Sequence, residues 1–160
     1  MKNIQNLVEK IIQKLTKEEK TITFAESCTG GRIVAAFTSI SGASEILHGS
    51  CVTYSNDIKH LWLGVSKKVL EKQGAVSRDC VLQMLEGIQK MADSNYAIAV
   101  SGIAGPTGGT ELKPVGTVYI GLQTPFSKEV FHCNFKGSRE AVQEQSTVFA
   151  IEKLAEVLKI

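Results

Sequence analysis

Residues 21–37 read Thr21-Ile22-Thr23-Phe24-Ala25-Glu26-Ser27-Cys28-Thr29-Gly30-Gly31-Arg32-Ile33-Val34-Ala35-Ala36-Phe37, and their order decides the fold class. Thr21 to Phe24 is a β-branched and aromatic run, the composition of a strand. Ser27-Cys28-Thr29-Gly30-Gly31 breaks it with small, turn-forming residues. Ile33 to Phe37 then reads as the opening of a helix. A strand that passes through a tight turn into a helix is the building step of an α/β architecture. In such folds the reactive loops gather where strands give way to helices.

Outward from this stretch the same alternation continues. Upstream, Ile4, Leu7, Val8, Ile11, Ile12 and Leu15 recur at three and four residues and predict an amphipathic first helix. Downstream, Ser50 to Tyr54 reads as a strand, with short helical pieces through Leu61 and again over 67–72. Ser77 is a good N-cap for a helix whose apolar face is Val81, Leu82, Leu85, Ile88 and Met91. Tyr96 to Val100 is an almost wholly apolar strand, as expected when both faces are buried. A Gly- and Pro-rich loop covers 101–114. Strands at 115–123 and 129–135, joined by Thr124-Pro125-Phe126-Ser127, predict a hairpin, and a long helix over 138–158 closes the chain. The expectation is α/β: a three-layer α/β/α arrangement with a mixed sheet of about five strands, in a single domain covering 1–160.

Composition bounds the function. The 160 residues are 43% hydrophobic and 21% charged, with a net charge of +2. That describes a globular chain without the basic face of a nucleic-acid binder, so no nucleic-acid partner is expected. No apolar run approaches the roughly 20 residues that cross a bilayer, and the charged N-terminus lacks the apolar core of a secretion signal. A soluble, cytoplasmic protein without a membrane partner is expected. Cys28, Cys51, Cys80 and Cys133 lie about 20 to 50 residues apart, and His48, His60 and His132 are equally scattered. Neither set has metal-ligand spacing, so no metal is expected.

Three segments carry residue types suited to chemistry. Ser27 stands where the strand becomes a helix, beside Thr29, Gly30 and Gly31, so its hydroxyl lies near backbone N–H groups able to hold an oxyanion. Taken alone, Ser27 or Thr29 reads better as a plain helix cap. Cys28 is a rival nucleophile, because a helix N-terminus lowers a thiol's pKa, but no His stands in a distinctive setting to serve it. The second segment, Tyr54 with Lys59 five residues on, offers a base where no His is available. A packed Tyr and a surface Lys are the ordinary alternative. The third, Ser101-Gly102-Ile103-Ala104-Gly105-Pro106-Thr107-Gly108-Gly109, offers amides and the hydroxyls of Ser101 and Thr107 that can cradle a phosphate, and reads equally as a plain turn-rich connection. It is neither a Walker loop nor Gly-x-Gly-x-x-Gly. Lys113 and Arg139 are the remaining cations near these loops.

Taken in order, Ala25-Glu26-Ser27-Cys28-Thr29-Gly30-Gly31, Val52-Thr53-Tyr54-Ser55-Asn56, Gly74-Ala75-Val76-Ser77, Ser101-Gly102-Ile103-Ala104-Gly105-Pro106 and Lys113-Pro114-Val115-Gly116-Thr117-Val118 resemble the CinA C-terminal domain family over nearly the whole chain. The chain looks like the stand-alone form of that domain, without the N-terminal pyrophosphatase domain of longer members. The resemblance implies deamidation of nicotinamide mononucleotide to nicotinic acid mononucleotide and ammonia, without cofactor. It places the nucleophile on Ser27, the tyrosine on Tyr54 and the lysine on Lys59. Here Tyr54, held partly deprotonated by Lys59, would take the Ser27 proton, although either member of this coupled pair can be the immediate base. Backbone N–H groups around Cys28 to Gly30 would hold the oxyanion. Cys28, Thr29, Gly30, Gly31, Ser101, Gly102, Gly105, Thr107 and Arg139 would border the nucleotide substrate. The family's Gly-Asp-Arg reads Gly137-Ser138-Arg139 here, so an acidic neighbour of Arg139 is lost. Family resemblance further implies a homo-oligomer. Against the deamidase stand a catalytically silent nucleotide-binding module and an interaction protein in competence or DNA-damage responses.

Overall fold

A computed structural model describes residues 2–160. The elements in order are α1 (Lys2–Lys17), β1 (Ile22–Glu26), α2 (Arg32–Thr38), a 3-10 turn (Ala43–Glu45), β2 (Leu47–Val52), α3 (Asn56–Leu63), α4 (Lys67–Lys72), α5 (Arg78–Ala92), β3 (Tyr96–Gly102), β4 (Thr117–Gln123), β5 (Lys128–Asn134) and α6 (Arg139–Leu158). The five strands form one mixed sheet in the order β2-β1-β3-β4-β5. β2, β1 and β3 are parallel, and β4 and β5 complete the sheet antiparallel as a hairpin.

Strand alternation divides the core into two layers. Ile22 and Phe24 of β1, with Ile98 and Val100 of β3, pack under α1, α2 and α6. Ala25 of β1, with Ala97 and Ala99 of β3, packs under α3, α4 and α5. The small residues on this second face let α5 lie close. At Gly121 of β4 a Cβ would come within 2.7 Å of both Val81 Cγ1 and Leu85 Cδ1. This is the expected three-layer α/β/α fold.

Element boundaries shift where backbone hydrogen bonding outlasts the side-chain pattern. β3 continues through Ser101 and Gly102, because Gly102 still pairs with Val118. The glycine-rich loop therefore begins at Ile103 rather than at Ser101. β2 runs from Leu47 to Val52 instead of 50–54, since the chain leaves the sheet at Thr53 to enter α3, which Ser55 caps by accepting from Ile58 N. Ser77 and Ser138 cap α5 and α6 in the same way, accepting from Cys80 N and Ala141 N. No helix among the described residues is long and apolar enough to cross a membrane.

Candidate active site

β1 and β3 are neighbours in the sheet, yet the helices that follow β1 and precede β3 lie on opposite faces. A crevice opens at the carboxyl ends of strands wherever connections diverge in this way. Here it is a cleft of about 250 Å³, lined by Ser27, Cys28, Tyr54, Asn56, Lys59, Ala75, Val76, residues 101–105, Thr107, Gly108 and Arg139. A larger groove of about 470 Å³ lies between α1, α2 and α6, but Arg32, Glu140 and Glu144 are its only ionisable groups. The smaller cleft is the one that gathers a hydroxyl, a buried amine and a guanidinium.

Alternation along β1 sends consecutive residues to opposite faces. Glu26 turns under α2, and Ser27, two residues beyond Ala25, turns toward the layer of α3. Glu26 is fully buried and its carboxylate is surrounded by donors. Oε2 accepts from the Thr29 hydroxyl at 2.6 Å and from the amides of Gly31 at 3.0 Å and Ile33 at 3.2 Å; Oε1 accepts from Val34 N at 2.8 Å. These charge-assisted bonds tie the 27–31 turn to the start of α2. Gly31, at φ 98°, supplies the left-handed backbone that this turn requires. From the far side, Gln143 of α6 donates to Cys28 O at 2.8 Å. The 27–31 turn is thus fixed from both ends.

Lys59 is 1% exposed, although it lies on a short helix near the surface. Its Nζ donates to Thr53 O at 2.8 Å and to Tyr54 O at 3.2 Å, and stands 3.0 Å from Ser27 Oγ. Burial depresses its pKa below the ordinary 10.5. A neutral amine has two N–H bonds and one lone pair. As a charged amine Nζ donates to all three oxygens; once deprotonated it keeps its two N–H bonds for the carbonyls and has a lone pair that can accept the Ser27 proton. Ser27 and Lys59 stand at hydrogen-bond distance, an arrangement that a serine nucleophile and an amine base can use.

The phenol of Tyr54 is placed elsewhere. Tyr54 is 61% exposed, and its hydroxyl accepts from Arg139 at 2.9 Å. Lys59 touches the main-chain carbonyl of this residue, not its ring. The expected route of the Ser27 proton through Tyr54 therefore differs from the geometry, in which Lys59 reaches Ser27 directly. Arg139 also donates to Gly105 O at 2.8 Å, so it bridges the tyrosine and the glycine-rich loop across the cleft mouth. Ser138, in place of the acidic residue, is the N-cap that aims Arg139 from the first position of α6.

Of the residues expected to border substrate, Cys28, Ser101, Gly102, Gly105, Thr107 and Arg139 line the cleft. Thr29, Gly30 and Gly31 do not. Thr29 is fully buried against Glu26, Gly30 N donates to Ser27 O at 3.0 Å, and Gly31 N is held by Glu26. Of the amides from Cys28 to Gly30, that of Gly30 is occupied, whereas those of Cys28 and Thr29 make no hydrogen bond among the described residues. The Cys28 thiol is buried, which pushes its pKa up to about 12 and keeps it protonated. Lys113 is outside the cleft and donates to Gln73 O at 2.5 Å, fastening the loop to the segment that presents Ala75 and Val76. Among the described residues no group of three His, Cys, Asp or Glu side chains is placed to hold a metal ion. Sequence reading gave no role to Glu26 or Gln143. Glu26 stood in the quoted motif and strand alternation already pointed it toward α2, whereas Gln143 had no local signal.

The CinA C-terminal domain model matches residues 4–158. The chain belongs to the CinA C-terminal domain family. Among solved structures it is similar to a competence/damage-inducible protein from Agrobacterium tumefaciens, at 36% identity and TM-score 0.93, covering 98% of this chain and 96% of that one. A CinA superfamily protein from Klebsiella pneumoniae gives 35% identity and TM-score 0.92, with 98% of each chain covered. A CinA-like protein from Fervidobacterium nodosum is 46% identical over 144 residues, which are 90% of this chain and 35% of that protein. The chain thus spans about a third of the length of this curated relative.

Proposed function

We propose that the chain is a serine amidohydrolase that deamidates nicotinamide mononucleotide, with Ser27 as nucleophile and Lys59 as its base. The observation that carries this reading is the buried Lys59 amine, 3.0 Å from Ser27 Oγ with its N–H bonds directed to two carbonyls. Few structural roles require a lysine there, since burying an amine is costly unless it is used. The Ser27 proton passes to Lys59 Nζ as Oγ attacks the carboxamide carbon. The C–N bond then breaks, Lys59 returns the proton to the departing nitrogen, and ammonia leaves an acyl ester on Ser27. Water attacks this ester while Lys59 takes its proton and gives it back to Ser27 Oγ, releasing nicotinic acid mononucleotide. Arg139 and the amides of Gly105, Thr107 and Gly108, unpaired among the described residues, suit the phosphate end.

Ammonia release from nicotinamide mononucleotide by the purified chain tests the reading. Ser27→Ala should lower kcat by at least roughly 10³-fold, while Cys28→Ala should stay within about threefold, because a thiol that remains protonated is not a nucleophile. Activity that survives Ser27→Ala would sink the nucleophile assignment. Binding of the nucleotide without turnover in the wild type would favour the silent binding module.

A further inference from the structure

The register of the sheet places a second hydroxyl beside Ser27. Ala25 of β1 pairs with Cys51 of β2 on one side and with Ala99 of β3 on the other. All three side chains meet the layer of α3–α5. Two residues further along each chain, the same face carries Thr53, Ser27 and Ser101, a row at the carboxyl ends of three parallel strands. Neighbouring strands lie about 4.8 Å apart, so Ser101 flanks Ser27 on the side opposite Thr53, whose carbonyl anchors Lys59.

Ser101 is 1% exposed and its Oγ makes no hydrogen bond among the described residues. It lines the cleft, unlike the sealed and equally unpartnered hydroxyls of Thr53 and Ser94. A buried hydroxyl without a partner costs stability, and this one faces the position where a bound ligand would stand. Meanwhile the first amides of α2 are held by Glu26, and Gly30 N by Ser27 O. Of the two amides in the turn that are unpaired among the described residues, only that of Cys28 belongs to a residue lining the cleft, and the Ser101 hydroxyl stands beside it as a second donor on the side of Ser27 away from the base.

Building on the deamidase reading above, we infer that the Ser101 hydroxyl is an oxyanion-hole donor. It hydrogen-bonds the carboxamide oxygen as negative charge develops there, with the free Cys28 amide as the adjacent donor. Lys59 on the other flank stays free to serve the leaving nitrogen. Ser101 then acts at the reacting carbon and not at the phosphate, where the sequence pattern had grouped it with Thr107. No bond to Ser101 is made or broken.

The test is Ser101→Ala in the full chain, read as kcat for ammonia release. Removing one such donor should lower kcat by about 10²-fold, and Ser101→Thr, which keeps the hydroxyl, should recover most of it. Ground-state affinity is read in the Ser27→Ala background, by calorimetry with nicotinamide mononucleotide. Adding Ser101→Ala there should change Kd by less than about threefold, because an oxyanion donor favours the transition state over the bound substrate. An unchanged kcat, or a weakened Kd with kcat retained, would overturn the inference. A loss of stability would show in the melting curve, and Ser101→Cys, of similar volume but a poor donor, then gives the same reading. A wild type that releases no ammonia overturns the deamidase reading itself. An active wild type with an equally active Ser101→Ala overturns only the role of Ser101.

Discussion

At the scale of single residues, the proposed mechanism makes Lys59 the group whose charge state sets the rate. Only the neutral amine has a lone pair for the Ser27 proton, so activity should rise with pH through the Lys59 pKa, which burial places below 10.5. A pH profile of kcat/KM checks this: the rising limb should persist in Tyr54→Phe, whereas a phenol base would abolish it. The stability sign follows from the same shift. Between the depressed folded pKa and the ordinary unfolded one, the unfolded chain binds a proton that the folded chain lacks, so Lys59 favours folding more as pH rises through that window. The types Ser, Tyr and Lys were legible in the sequence, and so were their spacings. What spacing did not fix was direction. Tyr54 and Lys59 are five residues apart, yet the helix that begins between them turns the amine inward to Ser27 and leaves the phenol outward with Arg139.

At the scale of elements, the Lys59–Ser27 distance depends on how α3 is seated. Its carbonyl end at Leu63 lies directly on Gly87 of α5, where an added Cβ would collide with the Leu63 backbone. Gly87→Ala should therefore displace α3, costing about 1–3 kcal/mol of stability. It should also lower kcat, since Lys59 sits one helical turn before Leu63. Urea unfolding and ammonia release, measured on the same preparation, check the two effects together. The periodic helices and the hairpin were readable from apolar spacing, because each side-chain pattern repeats over several turns or pairs. Gly87 was not readable as a packing point, since it lies inside an ordinary amphipathic pattern and its reason is a helix from elsewhere in the chain. Glu26 shows a related limit: a carboxylate beside a serine invites a chemical reading, and only the amides of Gly31, Ile33 and Val34 around it reveal a fastening for the turn.

At the scale of the whole molecule, the cleft is assembled from segments near residues 27, 54–59, 75, 101–108 and 139, which meet only when the sheet is formed. A ligand in it is bound by the folded chain alone. Nicotinic acid mononucleotide at 100 times its Kd should therefore add about 2.7 kcal/mol, which for a chain of this size raises Tm by roughly 5–11 °C. A thermal scan with and without the nucleotide checks this, and no shift would mean that the cleft does not hold it. The α/β class was legible because strand–turn–helix steps recur along the chain, but the strand order, which brings β3 next to β1 and so Ser101 next to Ser27, is set by long-range pairing that no local pattern carries. The four cysteines give the folded protein one more property. Cys28, Cys80 and Cys133 are buried with thiols pushed well above neutrality, and Cys51 is shifted in the same direction. Peroxides and alkylating agents attack thiolates, so on the proposed mechanism a catalyst built on the Ser27 oxygen should keep working under oxidising conditions that would silence one built on the sulfur next to it.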